Sequence, residues 1–590
     1  MKLTQLAAAM AMTYVSASSV AATYSVTPLP MSDISVNNFA QSIDDSGYML
    51  TISSSEYDPP VDFEFLEDTG FFTSYATSFE SYSDVIQGLF SDYDYTVIVS
   101  TLLSLSATAS NAYSYQHLAV YRSYLTDTTD AELIPGLDEY SDTFDDYAQE
   151  VVTYARDSLD GDYIVGTTEG PYYALDYEDD DGDELTYVLN DIEETAFVSV
   201  HGETKLLKAD DEDARDTLNG LSQAFAINNN LQVAGNSAID FIDSIDTAIE
   251  NCKDDDTRGD VPIEYCYRNI QVDASSDSTT YGFDIPEVGD SSTPGAHVRA
   301  TVWQLDGSGN VISTDTYPLV FEPDSSDSSA YWSLARDIND NGIAVGASST
   351  DELKYITYAS GSSYALENVA VSYSDGETTA ILPDDDDNIL SEALSINNDN
   401  WVTGYVLRAP NGTARNRIFI YNLDTGEELY PEGFFTNAGA KGKAINNNNI
   451  VVGISEYDST VDTNRETHGF MYDIDDGEII DLNDLISCDS DYTIVDAIDI
   501  NDDNEIIANA RYRTDSTYVN GETVIDSEGE STTIDTIVAV KLTPLSGGTL
   551  DTCDSDDEDD DDSYERQGAS LSYSWLLFVG LVAFFRRRTK

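Results

Sequence analysis

The residues best suited to chemistry are Asn, Asp and Gly, which recur in one short pattern that resembles a calcium loop. Asp337-x-Asn339-x-Asn341-Gly342 matches the beginning of an EF-hand loop, but Ser348 stands where that loop needs a bidentate Glu. Several sister copies of the segment also lack the first acid. The pattern therefore predicts a turn and no dedicated metal or cofactor site, although the acidic surface is compatible with weak, nonspecific Ca²⁺ binding.

The recurring Asn side chains could serve a carbohydrate site or could cap their own turns. Asn and Asp bond the backbone of the residues that follow them, which stabilises tight turns. We therefore predict a structural role for these residues, which are Asn228, Asn339, Asn397, Asn446 and Asn501.

No local pattern indicates catalysis. Acidic pairs are too frequent among 111 Asp and Glu residues to mark a glycosidase. The chain contains no GxSxG, HExxH or GxxxxGK[ST] motif, and its four His residues (His117, His201, His297 and His468) are far apart in sequence. We name no catalytic residue, while a site assembled from distant segments stays open.

Four cysteines allow three disulfide pairings, and an even number in an exported chain favours disulfides. We favour Cys252 with Cys266, which closes a short local loop, and Cys488 with Cys553. Metal binding is disfavoured because there is no CxxC pair, and free buried thiols are the remaining alternative.

One segment of about twelve residues repeats along the chain: a small residue, usually Ile-Asn, a run of turn formers, an apolar pair and often Gly. Asn, Asp and Gly accept positive φ, so the segment predicts two short strands joined by a tight turn. A small final residue lets neighbouring backbones approach closely. The copies are Ala40–Thr51, Ala155–Gly166 (degenerate), Ala224–Gly235, Ala335–Gly346, Ala393–Gly404, Gly442–Gly453 and Ala497–Ala508.

A second hairpin follows most copies, so each unit contains four strands in roughly 50–60 residues, the size of a propeller blade. The second hairpins are Ala196–Leu206, Ala300–Ile312, Val369–Ala380, Arg417–Leu429 and His468–Asp481. The sequence predicts an all-β, β-propeller-like body over residues 23–550, with six or seven blades of paired hairpins and a helical insertion.

The two ends of this body predict how the ring closes. Tyr24-Ser25-Val26 resembles a fourth strand without a third, and Ile537–Leu542 resembles a third strand without a fourth. Pairing them would complete one blade and remove two exposed edges.

Two stretches interrupt the repeat. Residues 75–155 contain apolar side chains at helical spacing, namely Phe144, Tyr147, Ala148, Val151, Val152 and Ala155, which predict a helical insertion. Residues 240–295 form a second insertion that holds Cys252 and Cys266.

These features resemble proteins with the HAF-type extracellular repeat, named for His-Ala-Phe at the start of the second hairpin. His468-Gly469-Phe470 is the nearest match, and Ala196-Phe197 is a partial one. With its closing strand from Lys541 to Pro544, the chain also resembles an uncharacterised family of exported Gram-negative proteins. The resemblance implies export and a repeat fold but no activity.

The N-terminus resembles a secretory signal over residues 1–22. Lys2 is followed by an apolar stretch from Leu6 to Val15, and small residues lead to cleavage by signal peptidase after Ala22. The net charge of −85 disfavours nucleic acid and anionic lipid as partners.

The C-terminus predicts a sorting or anchoring segment. Residues 551–567 are an acidic linker, and residues 568–590 contain an apolar run from Leu571 to Phe585 followed by the basic cluster Arg586, Arg587 and Arg588. The segment resembles the GlyGly-CTERM tail cut by a rhomboid-like protease, with Gly568-Ala569 in place of Gly-Gly. A permanent membrane anchor is the alternative.

Three functions fit these observations. The first is a cell-surface or secreted noncatalytic protein that binds a glycan or another protein. The second is a propeller enzyme acting on extracellular polysaccharide, and the third is a structural envelope component. Carboxylates converging at one mouth of the channel would favour an enzyme.

Overall fold

The computed structural model describes residues 22–550 apart from residues 32, 107–114, 210–216, 277–295, 325–328, 330, 384, 386 and 461–464. Within these residues, seven antiparallel four-stranded sheets contact one another in a closed ring. The first strand of each sheet contacts the first strands of both neighbours, so these inner strands surround a central channel. The fold is an all-β propeller, and the number of blades is seven.

The first strand, β1 (Ala22–Pro28), belongs to the last blade. Blade 1 contains β2 (Ser35–Ile43), β3 (Met49–Glu56), β4 (Tyr121–Thr126) and β5 (Ala131–Ile134). A small hairpin of β6 (Tyr140–Ser141) and β7 (Asp146–Tyr147) precedes blade 2, which contains β8 (Thr153–Leu159), β9 (Tyr163–Thr168), β12 (Thr195–Val200) and β13 (Glu203–Leu207). Between β9 and β12 lies a hairpin of β10 (Tyr172–Glu178) and β11 (Glu184–Asn190). Blade 3 contains β14 (Ser222–Ile227), β15 (Gln232–Phe241), β16 (Ala296–Leu305) and β17 (Val311–Thr316).

The remaining blades follow the same order. Blade 4 contains β18 (Ser333–Ile338), β19 (Ala344–Tyr358), β20 (Gly361–Ser374) and β21 (Glu377–Ala380). Blade 5 contains β22 (Leu390–Ile396), β23 (Trp401–Arg408), β24 (Arg415–Asn422) and β25 (Glu428–Leu429). Blade 6 contains β26 (Ala440–Ile445), β27 (Ile450–Glu456), β28 (Thr467–Asp473) and β29 (Ile479–Asp481), and a 3₁₀ helix (Leu482–Asp484) follows it. Blade 7 contains β30 (Thr493–Ile500), β31 (Ile506–Asp515), β32 (Thr533–Thr549) and β1.

Blade 7 is completed by both ends of the body, which confirms the predicted closure. Strand β1 pairs antiparallel with β32, with Val26 opposite Leu542 and Tyr24 opposite Pro544. The pairing covers the outer edge of β32 and ties the ends of the ring together.

Each predicted repeat forms the first hairpin of a blade, and its inner strand carries a β-bulge at one recurring place. In blade 5 the register shifts between Ala393 and Ser395. Opposite this bulge, a Cβ on Gly404 would lie 2.0 Å from the carbonyl oxygen of Glu392. The small residue after the second strand is therefore needed for backbone approach in this blade, as the sequence predicted.

The recurring Asn caps its own turn, as predicted, and also joins neighbouring blades. Asn397 Oδ1 accepts from the N–H groups of Asp399 and Trp401 at 3.1 and 2.9 Å. Its Nδ2 donates to the carbonyl of Asn446 in blade 6 at 2.9 Å. Equivalent bonds link Asn228 to Asn339, Asn339 to Asn397, Asn446 to Asn501, and Asn501 to Asp44. The turns consequently form a hydrogen-bonded series at one face of the propeller, the turn face.

The prediction of a helix near residues 144–155 was wrong. Residues Thr153–Leu159 form the inner strand of blade 2, where Thr153 and Ala155 are buried at strand spacing. The helical spacing arose because the β6–β7 hairpin and this strand happened to place apolar residues three and four apart. The helices of blade 1 lie earlier, between β3 and β4: α1 (Phe63–Asp68), α2 (Phe71–Ser74), α3 (Tyr82–Val85) and α4 (Asp92–Ser106). The last two lie within the predicted insertion 75–155, which is therefore partly helical, as expected.

The long insertions lie opposite the turn face, on what we call the insertion face. Second strands end and third strands begin there, because adjacent strands run antiparallel. Blade 1 adds α1–α4 at this point, and blade 2 adds the β10–β11 hairpin. Blade 3 adds α5 (Asp243–Lys253), α6 (Asp255–Arg258) and α7 (Ile263–Ser276) within the predicted insertion 240–295.

Candidate functional site

Three glutamates of blade 2 meet at the insertion face. Glu169 follows β9, while Glu193 and Glu194 directly precede β12. Strands β9 and β12 pair antiparallel with Thr168 opposite Thr195, so the three acids are brought to the same end of the blade. Their charges influence one another, since Glu193 raises the pKa values of both Glu169 and Glu194.

The insertion of blade 3 covers this cluster. Arg268 on α7 is only 2% exposed, and its Nη1 lies 2.5 Å from Glu193 Oε2. Gln271, one turn later, donates to the carbonyl of Asp191 at 2.8 Å. The predicted Cys252–Cys266 disulfide is present and joins α5 to α7. The disulfide-bonded helical insertion therefore packs on blade 2 and covers the glutamates, through the contacts of Arg268 and Gln271.

Glu194 also interacts with side chains of two inner strands. Its Oε1 accepts from Gln223 Nε2 at 2.7 Å, and Gln223 belongs to inner strand β14. Arg156, on inner strand β8, favours the ionised form of Glu194 by its positive charge. The cluster therefore lies between the covering helices and the inner strands of blades 2 and 3.

Burial makes these carboxyls unusually weak acids. It raises the pKa of Glu194 to about 8, against the opposing effects of Gln223 and Arg156. Burial and then the charge of Glu193 hold the pKa of Glu169 well above its ordinary value. Burial also raises the pKa of Glu193, which Arg268 opposes. At neutral pH Glu194 is mostly protonated and can donate a hydrogen bond as well as accept one.

Aromatic rings border the cluster. Tyr172 interacts with Glu169, Glu193 and Arg268, and its ring stacks on His117 with centroids 3.8 Å apart. Tyr154, on inner strand β8, lies close enough to Glu169 for that charge to raise its pKa. The site thus combines carboxyls of raised pKa, a guanidinium and aromatic rings.

Further along the channel, charged side chains are paired between blades. Arg336 Nε lies 2.8 Å from Glu392 Oε1 and stacks on Phe225 at 4.5 Å. Lys443 Nζ lies 2.7 Å from Asp496 Oδ2. These residues come from inner strands of neighbouring blades, so they fasten the ring from inside.

The residues singled out in sequence have structural roles. Asp337 Oδ2 accepts from the N–H of Ile396 in blade 5 at 2.8 Å. His468 Nδ1 lies 2.6 Å from Asp481 Oδ2 across blade 6, and exposed His201 occupies a turn. In the part of the chain that the structure describes, no group of three or more His, Cys, Asp or Glu is arranged to hold a metal ion.

The ends contain the other predicted positions. Ala22 is the first residue of β1, and cleavage after it stays a prediction. Cys488 is disulfide-bonded, whereas Cys553, Gly568, Ala569 and the tail from Leu571 through Phe585 to Arg586, Arg587 and Arg588 lie outside the described residues. Among the described helices, none is long and apolar enough to cross a membrane.

Sequence reasoning missed the glutamate cluster. Three acids among 111 carry no signal of their own, and Glu169 is separated from Glu193 by the β10–β11 hairpin. One available signal was Glu193-Glu194 immediately before the apolar strand β12, because acids next to a buried strand are brought close to the core.

Comparison with protein families gave one match. The family model described as "Protein of unknown function (DUF3466)" matches residues 1–588. None of the curated proteins compared with the chain matches it.

Several solved structures align with this chain at low identity. An acylaminoacyl peptidase from Pyrococcus horikoshii aligns at 10% identity and a TM-score of 0.31, covering 80% of this chain and 49% of the peptidase. TolB from Acinetobacter baumannii aligns at 10% identity and a TM-score of 0.24, covering 68% of this chain and 80% of TolB. A puromycin-hydrolyzing peptidase from Mycobacterium tuberculosis aligns at 9% identity and a TM-score of 0.25, covering 84% of this chain and 62% of the peptidase. The chain spans about half the length of the first of these proteins.

Proposed function

Because the chain belongs to the DUF3466 family of proteins of unknown function, we propose a function from its site: an exported propeller that binds a polyhydroxylated ligand, such as a glycan, without converting it. The ligand would lie at the insertion face, against Glu169, Glu193 and Glu194. In this proposal the blades and their hydrogen-bonded turns act as the scaffold.

The observation that carries the proposal is the group of weakly acidic carboxyls beside Arg268 and Tyr172. A carboxyl with a raised pKa, such as that of Glu194, donates as well as accepts hydrogen bonds when it is protonated. A guanidinium donates several hydrogen bonds, and a tyrosine ring has a flat apolar face. A sugar ring suits this combination, because its hydroxyl groups form hydrogen bonds with the polar side chains while its apolar face packs on an aromatic ring. Small-molecule sites commonly combine apolar walls with a few placed polar groups.

Export is part of the proposal. The predicted signal segment, cleavage after Ala22 and the C-terminal tail lead to the cell surface or to secretion, with membrane contact only through that tail. The Cys252–Cys266 disulfide supports this assignment because such bonds persist in oxidising compartments.

A second candidate, an enzyme that cleaves extracellular polysaccharide, is favoured by the same glutamates. Glycosidases need a proton donor with a raised pKa beside a second carboxylate. Glu194 satisfies the first requirement, and Glu193, paired with Arg268, is the candidate for the second.

A glycan array and a polysaccharide-degradation screen with the whole purified protein separate the candidates. Binding without product supports the binding protein, and Glu194→Gln should weaken it at least tenfold. The control Glu528→Gln removes an exposed acid far from the site in sequence and should leave binding unchanged. Product formation abolished by Glu194→Gln would establish the enzyme instead, and neither binding nor product would leave the structural envelope component as the explanation.

A further inference from the structure

Blade 4 projects a hairpin from the insertion face, and one side of it has no partner within the described residues. Strands β19 and β20 are fifteen and fourteen residues long, and they pair out to Tyr358 opposite Gly361. Beyond Ser349 the register shifts, and a separate ladder begins with Leu353 opposite Leu366. This projecting hairpin is the feature from which the inference proceeds.

The hairpin has two unlike sides. On one side Ile356 is fully buried and packs with Ala365 against Leu390 and Leu407 of blade 5. On the other side Leu353, Tyr355 and Tyr364 are 68%, 61% and 59% exposed. Side chains alternate along a strand, so this arrangement follows directly from the register.

The exposed side forms a continuous strip, which we call the tyrosine strip: Leu353, Tyr355, Thr357, Ser362 and Tyr364. Tyr355 and Tyr364 are direct cross-strand partners with ring centroids 4.9 Å apart. Thr357 and Ser362 form the next pair, and their hydroxyls are hydrogen-bonded at 3.1 Å. From Leu353 to Thr357 the strip is about 14 Å long, at a rise of about 3.4 Å per residue.

The charges on and around the tyrosine strip indicate which kind of ligand could bind there. The strip itself has no charged side chain, and nearby Lys354 is held by Glu352 and Glu367, each at 2.8 Å. The chain as a whole carries a net charge of −85, which repels an acidic polymer or an anionic membrane. An uncharged polymer with apolar ring faces and hydroxyl edges meets neither repulsion nor the cost of burying a charge.

We infer that the tyrosine strip is a docking surface for a neutral polysaccharide, on which sugar rings stack against Tyr355 and Tyr364 while Thr357 and Ser362 bond hydroxyls. The strip would be a second glycan-binding surface, separate from the glutamate cluster. The inference takes only the class of ligand, a glycan, from the proposed function. The glutamate cluster would hold a short segment, and the strip would hold a longer chain against the insertion face.

Affinity electrophoresis of the whole protein tests this inference. The gels contain hydroxyethylcellulose, xyloglucan or galactomannan, and carboxymethylcellulose serves as an acidic polymer with the same backbone as the first. We expect retardation by at least one neutral polymer and none by carboxymethylcellulose. Tyr355→Ala combined with Tyr364→Ala should weaken retardation about tenfold or more, because two stacking faces are removed.

Three controls make the result decisive. The double Phe variant at the same positions should retain binding, since it keeps both rings. Tyr140→Ala removes a ring that is 57% exposed but bonded to Asp145, and it should have no effect. The double Ala variant should keep wild-type binding of short glycans on the array, so failure at the strip is distinguishable from failure at the glutamate cluster.

Several outcomes would overturn the inference. The first is no retardation of the wild type by any of the three neutral polymers, and the second is equal retardation of the double Ala variant. Stronger retardation by carboxymethylcellulose would contradict the charge argument. If light scattering shows that the wild type is a dimer and the double Ala variant a monomer, the strip would be assigned to contact with a second copy of the chain.

Discussion

Replacing Asn446 with Asp should separate the two roles of the recurring Asn. Asn446 is 4% exposed, and its Oδ1 accepts from the N–H groups of Asn448 and Ile450 at 3.1 and 3.0 Å. Its Nδ2 donates to Asn501 O at 2.9 Å and to Asn504 Oδ1 at 2.8 Å, both in blade 7. Asp keeps the acceptor for the turn but loses both donors between the blades.

Blade 1 supports this reasoning with a natural Asp at the same place. Asp44 Oδ1 accepts from the N–H groups of Ser46 and Tyr48, as in the other turns. Its Oδ2, however, accepts from Ser158 Oγ and Gly161 N of blade 2 at 3.0 and 2.9 Å. Asp therefore occurs where the neighbouring blade offers donors, whereas Asn occurs where it offers a carbonyl.

We expect Asn446→Asp to lower the free energy of unfolding by about 2–6 kcal/mol at pH 7. The estimate counts two lost hydrogen bonds that leave buried acceptors facing a carboxylate, at about 1–3 kcal/mol for each unsatisfied group. Asn446→Ala should cost more, because the turn N–H groups lose their acceptor too. Part of the Asp deficit should disappear at low pH, since a protonated carboxyl regains one donor.

The assay is guanidinium unfolding followed by circular dichroism, together with amide hydrogen exchange. In the Asp variant the amides of Asn448 and Ile450 should stay protected, and in the Ala variant they should exchange rapidly. Asn411→Asp adds the same charge on an exposed loop and is the control. If Asn446→Asp is as stable as that control, the bonds between blades contribute nothing and the argument is refuted.

The remaining predictions concern closure, packing, the disulfide and pH. Deleting residues 23–30 removes β1 and should lower the melting temperature of the whole body, and an unchanged temperature would contradict the closure. Gly404→Ala should cost about 1–3 kcal/mol in unfolding free energy, because its Cβ would meet the Glu392 carbonyl, while Gly307→Ala faces open space and should cost little. Replacing both Cys252 and Cys266 with Ser should destabilise the helical insertion by about 3 kcal/mol, the value for a loop of about 15 residues, and proteolysis should then begin between residues 243 and 276. Because the pKa of Glu194 is raised from 4.5 to about 8, the folded state holds its proton more tightly. This contribution to stability is present below about pH 4.5 and is lost as pH rises towards 8, by at most about 1.4 kcal/mol per pH unit. Glu194→Gln should remove that part of the pH dependence in unfolding titrations, and parallel curves for the two proteins would refute it.

Much of the fold was predictable because the repeat is local. A turn of Asn, Asp and Gly between two apolar strands is determined by residues within about twelve positions, so both hairpins of most blades could be located. The second hairpin of blade 1 was missed, because the helices of the insertion separate β3 from β4. At residues 144–155 a helix was predicted that does not exist, because the β6–β7 hairpin and strand β8 together place apolar residues at helical spacing.

The sequence by itself determined the hairpin unit and the small residue that follows its apolar pair, and it favoured the closure by both ends and the Cys252–Cys266 pair. Each of these depends on neighbouring residues or on edges that must find a partner. Only the tertiary structure decided that the blades number seven, that Asn397 and its equivalents donate to the next blade, and that Glu169, Glu193 and Glu194 meet under Arg268. Those contacts join residues up to 457 positions apart, and their free energy comes from burial that no local pattern records.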